Sequence, residues 1–470
     1  MPTMHTHARF IARRNAVDQA NSLRVRLVPL DPGPPPRSTA VEVDSQCDCG
    51  RGFDFAVEGT EMPILDLPLS FYLELTPLCN NRCPNCGNVF VERLDATWSL
   101  PPLSASEWSR ILAKVAPHAY RLKITGGEPT LHPEFEDIMA EIDRLGVSFT
   151  LFTNARWHDP DRLCHLFQHL DGLDGLLVSL HGPEAPTHEA FTQVAGSFAE
   201  TEANIRRAVA AGLPVSLSCI ITRLNWDRVH DMLHQAYRLG AQSVVFNRHL
   251  GADAERLAAA PDELQVAIEV ISALRASGAP VKLGNCVPQC FAPTGQAGCL
   301  AGLAFLTIDP WGRARPCNHA TVICGDLRRQ SLADVWNSPN LAAWRDFYPE
   351  PCRRCVAFAT CRGGCKAQAL ASGQDIDPLA GTWNQPTIPR QRRLVFYEQA
   401  RPIGCFERKP QRHGMLLLRG NRLAMLAHHT QPILDMLDGE STLQQIEQQH
   451  GMAGLELIAD LYEQQLIELA

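Results

Sequence analysis

The stretch Cys79-Asn-Asn-Arg-Cys83-Pro-Asn-Cys86 lies just beyond the apolar run Phe71-Tyr-Leu-Glu-Leu-Thr. A strand that ends in this loop brings three thiols together at C-x3-C-x2-C spacing. Thiolates hold iron–sulfur clusters, and three ligands leave one iron of a four-iron cluster free to take a small molecule. The alternatives are three core cysteines or a structural zinc site, although zinc sites usually offer four ligands as paired C-x2-C units.

The totals for the whole chain narrow the class of protein. A length of 470 residues predicts two or three domains, and a net charge of -8 gives no basic surface for nucleic acid. No apolar run reaches membrane-spanning length, and the amino terminus lacks the apolar region of a secretion signal. The 17 cysteines are therefore expected in the reducing cytosol, where clustered cysteines indicate metal binding.

From residue 71 to about 280, strand-like apolar runs alternate with amphipathic helical patterns. The predicted strands are 71–76, 120–125, 147–152, 174–180, 214–221 and 243–247. The clearest helical patterns are Ser104–Ala116, Pro133–Leu145, Ser197–Ala211 and Trp226–Leu239. Six βα units predict an α/β fold with a parallel sheet, whose ligand sites lie at the carboxyl ends of the strands.

Polar motifs follow the second, third and fourth of these strands. They are Thr125-Gly126-Gly127-Glu128-Pro129, Thr153-Asn154 and Ser179-Leu180-His181-Gly182. Each has a plain alternative, because Gly-Gly is a common turn and Thr, Asn and Ser often cap helices. Glycines also let the backbone pass close to a ligand, where its N–H and C=O groups can pair with a zwitterion.

Together with the three-cysteine loop, these motifs resemble the radical S-adenosylmethionine (SAM) enzymes over residues 71–280. The resemblance implies a partial (β/α)6 barrel whose [4Fe–4S] cluster, held by Cys79, Cys83 and Cys86, chelates SAM. It also implies SAM contacts from a set of residues at the strand ends: Gly126, Gly127, Glu128, Pro129, Thr153, Asn154 and Ser179. The implied chemistry is one-electron reduction of SAM to a 5′-deoxyadenosyl radical, with an electron donor such as flavodoxin or ferredoxin.

Cysteines are dense again between residues 286 and 365. They occur as Cys286, Cys290 and Cys299, then Gly312-x4-Cys317, then Cys352-x2-Cys355-x5-Cys361-x3-Cys365. The pattern resembles the SPASM extension of radical SAM enzymes, which holds two auxiliary [4Fe–4S] clusters; a pair of zinc ribbons is the alternative. The resemblance assigns Cys299, Cys317 and Cys365, with Cys290 or Cys286, to the first cluster. It assigns Cys352, Cys355 and Cys361 to the second.

The chain departs from that extension at two points. One more cysteine normally follows the C-x3-C, but here the next is Cys405, so either Cys405 completes the second cluster or that cluster is ligated otherwise. Enzymes of this group that form formylglycine carry an Asp base directly after the G-x4-C cysteine, where this chain has Asn318. Asn cannot accept that proton, which disfavours formylglycine chemistry. His319 could be a base, although a structural role is the commoner one.

The carboxy-terminal region reads as a small α+β domain. Residues 415–419 and 422–426 predict a hairpin, and helices are expected at 429–437, 442–449 and 453–467. The region resembles the PqqD-like module, a winged helix-turn-helix that captures a precursor leader peptide as an added strand. Residues 415–470 contain two Arg, no Lys and eight Asp or Glu, so DNA binding is disfavoured and a structural cap is the remaining alternative.

The predicted organisation has five parts. They are an amino-terminal segment of unclear role (1–69), the barrel (70–285), the SPASM extension (286–372), a linker (373–394) and the PqqD-like domain (395–470). The leading hypothesis is a maturase that abstracts hydrogen from a ribosomally made peptide or protein with a leader. A thioether or other cross-link, or epimerisation, would follow. The alternatives are a radical SAM enzyme for a small molecule such as a tetrapyrrole, and a zinc-binding interaction protein.

Overall fold

The structure is a computed structural model. It describes residues 24–28, 54–57, 64–84, 86, 100–251, 257–292, 298–355, 357–381, 393–420 and 422–470. These residues form two compact units, one within 64–384 and one built from 24–28, 54–57 and 393–470. Half of the predicted linker, residues 382–392, lies outside the described residues, as does most of the amino-terminal segment 1–69.

The strands of the described residues, in chain order, are β1 (Arg24–Val28), β2 (Asp54–Val57), β3 (Ser70–Glu74), β4 (Arg121–Thr125), β5 (Phe149–Thr153), β6 (Leu173–Ser179), β7 (Val215–Ile221), β8 (Ser243–Arg248), β9 (Val281–Leu283), β10 (Phe305–Ile308), β11 (Arg313–Arg315), β12 (Gly325–Asp326), β13 (Arg393–Tyr397), β14 (Pro402–Gly404), β15 (Glu407–Gln411), β16 (Gly414–Arg419), β17 (Arg422–Leu426) and β18 (Ile467–Leu469).

The α-helices are α1 (Ala105–Val115), α2 (Phe135–Arg144), α3 (Pro160–Gln168), α4 (Ala185–Thr192), α5 (Ser197–Ala210), α6 (Val229–Leu239), α7 (Pro261–Ala276), α8 (Leu332–Trp336), α9 (Pro339–Asp346), α10 (Glu350–Arg353), α11 (Phe358–Cys361), α12 (Lys366–Ala371), α13 (Gln431–Asp435) and α14 (Leu443–Glu463). None of the helices in the described residues is both long and apolar enough to cross a membrane.

The larger unit is organised around one ten-stranded sheet in the order β12-β11-β10-β3-β4-β5-β6-β7-β8-β9. Strands β3 to β9 are parallel and follow one another in space as they do along the chain. Their carboxyl ends therefore share one edge of the sheet, where ligand sites of such folds lie. The six predicted strands of the barrel are confirmed, and their parallel order is the one expected of a partial (β/α)6 barrel.

The helices cover this sheet because each has one apolar stripe. In α1, Ser104 caps the amino terminus in a capping box with Glu107, and the helix buries Trp108, Ile111 and Leu112. That spacing repeats once per helical turn, so these side chains face the sheet together. The same core continues into the cysteine-rich segment, whose Ile308 and Trp336 belong to the same buried cluster.

The cysteine-rich segment extends the barrel sheet and stays in the same compact unit. Strand β10 pairs in parallel with β3, and β11 and β12 follow it antiparallel. Helix α8 begins with a capping box between Ser331 and Asp334, and its Trp336 ring nitrogen donates to the Leu65 carbonyl at 2.7 Å. This part of the extension is thus a short helix whose tryptophan is held by the chain just before β3.

The smaller unit contains the predicted carboxy-terminal hairpin. Strands β15, β16 and β17 form an antiparallel meander, and the sheet order is β15-β16-β17-β2. Helices α13 and α14 close its core through Leu434, Leu443 and Ile458. The predicted helices 442–449 and 453–467 are one element with a break at Gly451, where φ is 66° and ψ is -162°.

Two features of the smaller unit differ from the sequence expectation. The last helix ends at Glu463 instead of residue 467, and Ile467–Leu469 pairs antiparallel with Pro402–Gly404 as β18. In addition, two strands from the segment treated as separate belong here, because β1 pairs with β13 and β2 pairs with β17, both in parallel. Short apolar runs near a chain terminus give no information about such distant partners.

Candidate active site

The three thiols of the first motif lie in the loop that leaves β3. Cys79 accepts hydrogen bonds at its sulfur from the Asn81 backbone N–H at 3.4 Å and the Asn154 side chain at 3.6 Å. Burial raises the pKa of the Cys79 thiol to about 11, with smaller contributions from Glu128 and Cys86. Burial also raises the pKa of Cys83, which lies within electrostatic reach of Cys79 and Cys86. The three thiols therefore share one site, and a bound metal would displace their protons.

The two glycines of the second motif fit against the cysteine loop. The Gly127 N–H donates to the Thr76 carbonyl at 2.7 Å, and the Glu128 N–H donates to the Leu78 carbonyl at 2.7 Å. A Cβ added to Gly127 would lie 2.1 Å from the Leu78 oxygen, and one added to Gly126 would lie 2.6 Å from the Thr76 oxygen. Glycine is required here because the turn lies directly on the backbone that leads into Cys79.

Glu128 joins this turn to the end of the third barrel strand. Its carboxylate is fully buried and accepts from the Thr130 hydroxyl at 2.7 Å, the Thr153 hydroxyl at 2.8 Å and the Asn154 N–H at 2.7 Å. Burial raises the pKa of Glu128, while these hydrogen bonds oppose the rise. The Glu128 side chain is thus engaged by the protein itself, and both Glu128 and Pro129 are buried. SAM contacts from Glu128 and Pro129 stay a prediction.

Asn80 and Arg156, which sequence reasoning missed, fix the cysteine loop to the end of β5. The Asn80 side chain donates to the Arg156 carbonyl at 2.7 Å and accepts from Asn154 at 2.7 Å. Arg156 in turn donates to the Asn80 carbonyl and pairs with Glu200 at 2.8 Å. The sequence signal for Asn80 was its position between two motif cysteines, but its partner Arg156 lies 76 residues further along the chain.

The remaining predicted strand ends lie along the same edge of the sheet. Ser179 ends β6 and lies opposite Ser218 of β7. His181 is buried and its Nδ1 accepts from the Ile220 N–H at 3.3 Å, so its imidazole supports the backbone there. Phe246 of β8 is part of the buried core. The structure thus brings Thr153, Asn154 and Ser179 to one edge, with direct contacts between the cysteine loop and Asn154.

A second group of thiols lies within the cysteine-rich segment. Cys286 is hydrogen-bonded to Cys299 and Cys365, and Cys317 lies within electrostatic reach of the same two thiols. The hydrogen bond from Cys286 lowers the pKa of Cys299 to about 6. We call this group the inner thiol set, consisting of Cys286, Cys299, Cys317 and Cys365. Between the two candidates for its fourth member, the structure places Cys286 beside Cys299 and Cys365.

A third group involves the thiols expected in the second auxiliary cluster. Burial raises the pKa of Cys352 to about 11, and the groups whose charges add to this rise include Cys361, Cys290 and Cys355. We call the three expected ligands, Cys352, Cys355 and Cys361, the outer thiol set. No three His, Cys, Asp or Glu side chains among the described residues surround a position for a single metal ion. A [4Fe–4S] cube binds one thiolate at each of four corners, so its ligands stand further apart than those of one ion.

Buried cations surround the inner set and match the charge of a thiolate-bound cluster. Arg362 is 2% exposed, and its Nε and Nη2 atoms have no hydrogen-bond partner among the described residues. Its guanidinium lies within electrostatic reach of Cys299, Cys286 and Cys361. Lys366 is also buried, and burial lowers its pKa to about 7 while Cys299 opposes the change. Buried donors without acceptors fit a group that carries negative charge and sulfide acceptors.

Two buried ion pairs connect the barrel strands to the inner set. Glu74, the last residue of β3, pairs with Arg315, which also donates to the Ala320 carbonyl at 2.7 Å. Arg248, the last residue of β8, pairs with Asp377, which also accepts from the Cys365 N–H at 2.7 Å. Both pairs bring the ends of barrel strands to the loops that carry Cys317 and Cys365.

His249 lies within electrostatic reach of both His181 and His319, at the carboxyl edge of the sheet. Burial lowers the pKa of His319 to about 4, and the charge of Arg315 adds to the effect. His249 is buried, and neither of its ring nitrogens has a hydrogen-bond partner among the described residues. It directly follows β8, so a polar residue at a strand end was the signal that sequence reasoning passed over.

Comparisons with known proteins agree with this geometry. The radical SAM superfamily model matches residues 73–236, and the SPASM iron–sulfur cluster-binding domain model matches residues 299–356. PqqA peptide cyclase of Methylobacterium nodulans is 30% identical over 360 residues, which cover 73% of this chain and 93% of that protein. PqqA peptide cyclase of Granulibacter bethesdensis is 28% identical and covers 67% of this chain and 87% of its own length.

Solved structures share the fold. SuiB of Streptococcus suis bound to SAM superposes with a TM-score of 0.57 at 17% identity, covering 68% of this chain and 78% of that one. Native anSMEcpe with bound SAM gives a TM-score of 0.51 at 15% identity, covering 68% of this chain and 94% of that one. The chain belongs to the radical SAM superfamily and carries its SPASM extension. It is an enzyme whose cofactors are SAM, the [4Fe–4S] cluster that binds it, and auxiliary iron–sulfur clusters.

Proposed function

We propose that this enzyme is a maturase that modifies a ribosomally synthesised peptide. The observation that carries the proposal is the match to proteins named PqqA peptide cyclase over as much as 93% of their length. Bound SAM supplies a 5′-deoxyadenosyl radical, which removes hydrogen from an unactivated C–H bond. Closing a cross-link then requires the loss of one further electron, which an oxidised auxiliary iron–sulfur cluster would accept, and of one further proton, which would pass to a base or to solvent, so the product is two hydrogens lighter than the precursor.

The proposed site residues divide this work between them. Cys79, Cys83 and Cys86 hold the cluster that binds SAM. The backbone of Gly126 and Gly127 and the ends of β5 and β6 position the SAM molecule. His249 supplies buried ring nitrogens that have no protein partner among the described residues, which suits a polar group of the substrate. The barrel and the cysteine-rich segment exclude water from the reacting carbon.

The smaller unit is proposed to bind the leader of the precursor. Its meander ends at β17, whose outer edge carries β2 as a parallel fourth strand. The other edge, β15, contains Pro410, which lacks an N–H and is typical of edges that do not extend. The edge of β17 is thus the one that accepts a strand, and the leader replaces residues 54–57 there. Strand addition of this kind is a common mode of peptide recognition.

The substrate class is tested with short precursors encoded beside this chain, each with and without its leader. Anaerobic holoenzyme, SAM and dithionite are expected to give 5′-deoxyadenosine and a product two hydrogens lighter, and only from the peptide that keeps its leader. Epimerisation would leave the mass unchanged in water but add one deuterium in deuterated solvent. Turnover of a tetrapyrrole without any peptide would contradict the proposal.

The role of the β17 edge is tested with a chain that begins at residue 64. Because β2 is missing, leader peptide is expected to bind this chain more tightly than the full chain, in a fluorescence anisotropy titration. The control is a chain that begins at residue 24, which keeps both β1 and β2. Equal or weaker binding to the shorter chain would show that residues 54–57 do not compete with the leader.

An external one-electron donor such as flavodoxin or ferredoxin is part of the proposal, as is a cytoplasmic location, where free thiols remain reduced. The acidic balance of residues 415–470 supports a peptide ligand over nucleic acid for the smaller unit.

A further inference from the structure

The outer thiol set lacks a cysteine that its sequence pattern would supply. Cys352, Cys355 and Cys361 give three thiols, and Cys365 belongs to the inner set. The next cysteine along the chain is Cys405. A closed [4Fe–4S] site needs a fourth protein ligand, because three thiolates leave one iron open.

Cys290 lies where this fourth ligand is needed. Its charge is among those that act on both Cys352 and Cys361. The neighbouring Gln289 N–H donates to the Cys361 sulfur at 3.3 Å, which places the two segments side by side. The Cys290 sulfur accepts from the Gly381 N–H at 3.2 Å, a charge-assisted contact when the sulfur is a thiolate.

We propose that Cys290 is the fourth thiolate of the second auxiliary cluster and takes the place of the cysteine expected after Cys365. The outer set then consists of Cys290, Cys352, Cys355 and Cys361, and both auxiliary sites are closed by residues of one compact unit.

The local backbone explains how this division arises. Cys286 and Cys290 are spaced C-x3-C, as are Cys361 and Cys365, and each pair gives one thiol to each set. A turn at Pro288, whose carbonyl accepts from the Phe291 N–H at 3.0 Å, separates the first pair.

In the second pair, Gly363 and Gly364 occupy the left-handed region, with φ of 76° and 83°. A Cβ on Gly364 would lie 2.8 Å from Pro288, so the two segments pack closely. Arg362 lies within electrostatic reach of Cys286 in the inner set and of Cys361 in the outer set, and its Nε and Nη2 atoms have no hydrogen-bond partner among the described residues.

Cys405 is engaged elsewhere. It belongs to the smaller unit, where its N–H donates to the Leu466 carbonyl at 2.9 Å and its thiol donates to the Ile403 carbonyl at 3.6 Å. It therefore serves as the matched control for Cys290.

The test compares Cys290→Ala and Cys405→Ala in the full chain, reconstituted anaerobically with iron and sulfide. Wild type is expected to hold about twelve irons, four for each cluster. Cys290→Ala is expected to fall to about eight, or to show the electron paramagnetic resonance signal of a three-iron cluster after oxidation. Cys405→Ala is expected to match wild type in both measurements. The opposite pattern, or full iron content in both variants, would overturn the proposal.

A second variant keeps the test decisive if Cys290→Ala does not fold. Cys290→Ser offers an oxygen ligand of similar size, so a four-iron cluster with a shifted reduction potential is expected. If Cys290 had only a packing role, the serine variant would keep all three wild-type potentials, and the proposal would fail.

Discussion

At the scale of single residues, the buried carboxylate of Glu128 joins the Gly-Gly turn to the end of β5 at the carboxyl edge of the sheet. It accepts from three donors on one oxygen and from the Asn154 N–H on the other. In Glu128→Gln the new amide would face a donor, and such a mismatch costs about 1–3 kcal/mol. We expect a lower thermal midpoint and a higher KM for SAM, whereas the exposed control Glu269→Gln should change neither. Unchanged values of the thermal midpoint and KM for Glu128→Gln would show that the hydrogen bonds to this carboxylate do not position the site.

Buried histidines make stability depend on pH. Burial lowers the pKa of His188 from 6.5 to about 4, and the charge of Arg156 adds to this effect. Between these values the unfolded chain binds more protons than the native protein, so stability is lost as the pH falls below 6.5. From pH 7.5 to 5.5, wild type should lose about 1.4 kcal/mol more than His188→Asn.

The measurement is anaerobic urea unfolding of the two holoenzymes at both pH values. The backbone N–H of His181 donates to Nδ1 of His188 at 3.1 Å. The side-chain oxygen of asparagine can accept the same hydrogen bond. The exposed His234→Asn serves as the control and should follow wild type. Parallel pH profiles for wild type and His188→Asn would contradict the assignment of a neutral buried ring.

Residue-level prediction from the sequence is possible where spacing carries the information. The thiols of the first motif are close in sequence, so Cys79, Cys83 and Cys86 could be grouped directly. The pairing of Cys286 and Cys290 with different sets could not, because it depends on a turn and on contacts with residues some 70 positions away. Asn80 and His249 were missed for the same reason, since their surroundings come from distant strands.

At the scale of elements, the Gly-Gly turn and the cysteine loop act as one piece. In Gly127→Ala, a Cβ 2.1 Å from the Leu78 oxygen must displace the loop backbone. We expect loss of the SAM-binding cluster, about four of twelve irons, with the auxiliary clusters retained. Iron content and 5′-deoxyadenosine formation measure this.

The control for that substitution is Gly146→Ala. Gly146 has a φ of 67° with no atom near its Cβ position, so alanine there costs about 1–2 kcal/mol of backbone energy without reaching the site. Full iron content is expected in the control. If Gly127→Ala kept all its iron and activity, the coupling of turn and loop would be wrong.

Element boundaries were predictable in the barrel because parallel strands buried on both faces read as continuous apolar runs. The strand Val215–Ile221 differs by one residue from its predicted start. Prediction failed where pairing is non-local: Asp54–Val57 pairs with a strand more than 350 residues away, and Ile467–Leu469 pairs with Pro402–Gly404. Local periodicity does not encode such partners.

At the scale of the whole molecule, the larger unit carries the cofactor sites, and the smaller unit is the proposed site of substrate recognition. Each unit has its own hydrophobic core, and no sheet of the described residues is shared between the two units. In the proposed function, the smaller unit binds the leader, and the larger unit carries out the reaction. It also makes the chemistry of the first cluster separable from the binding of peptide.

The central claim is that Cys79, Cys83 and Cys86 hold the cluster that cleaves SAM. The most direct test replaces all three by alanine and measures 5′-deoxyadenosine formed with SAM and dithionite, together with iron and sulfide per chain. Wild type should form 5′-deoxyadenosine and hold about twelve irons, whereas the variant should form none and retain about eight. Continued 5′-deoxyadenosine formation by the variant, or wild-type protein that binds zinc without sulfide, would contradict the account.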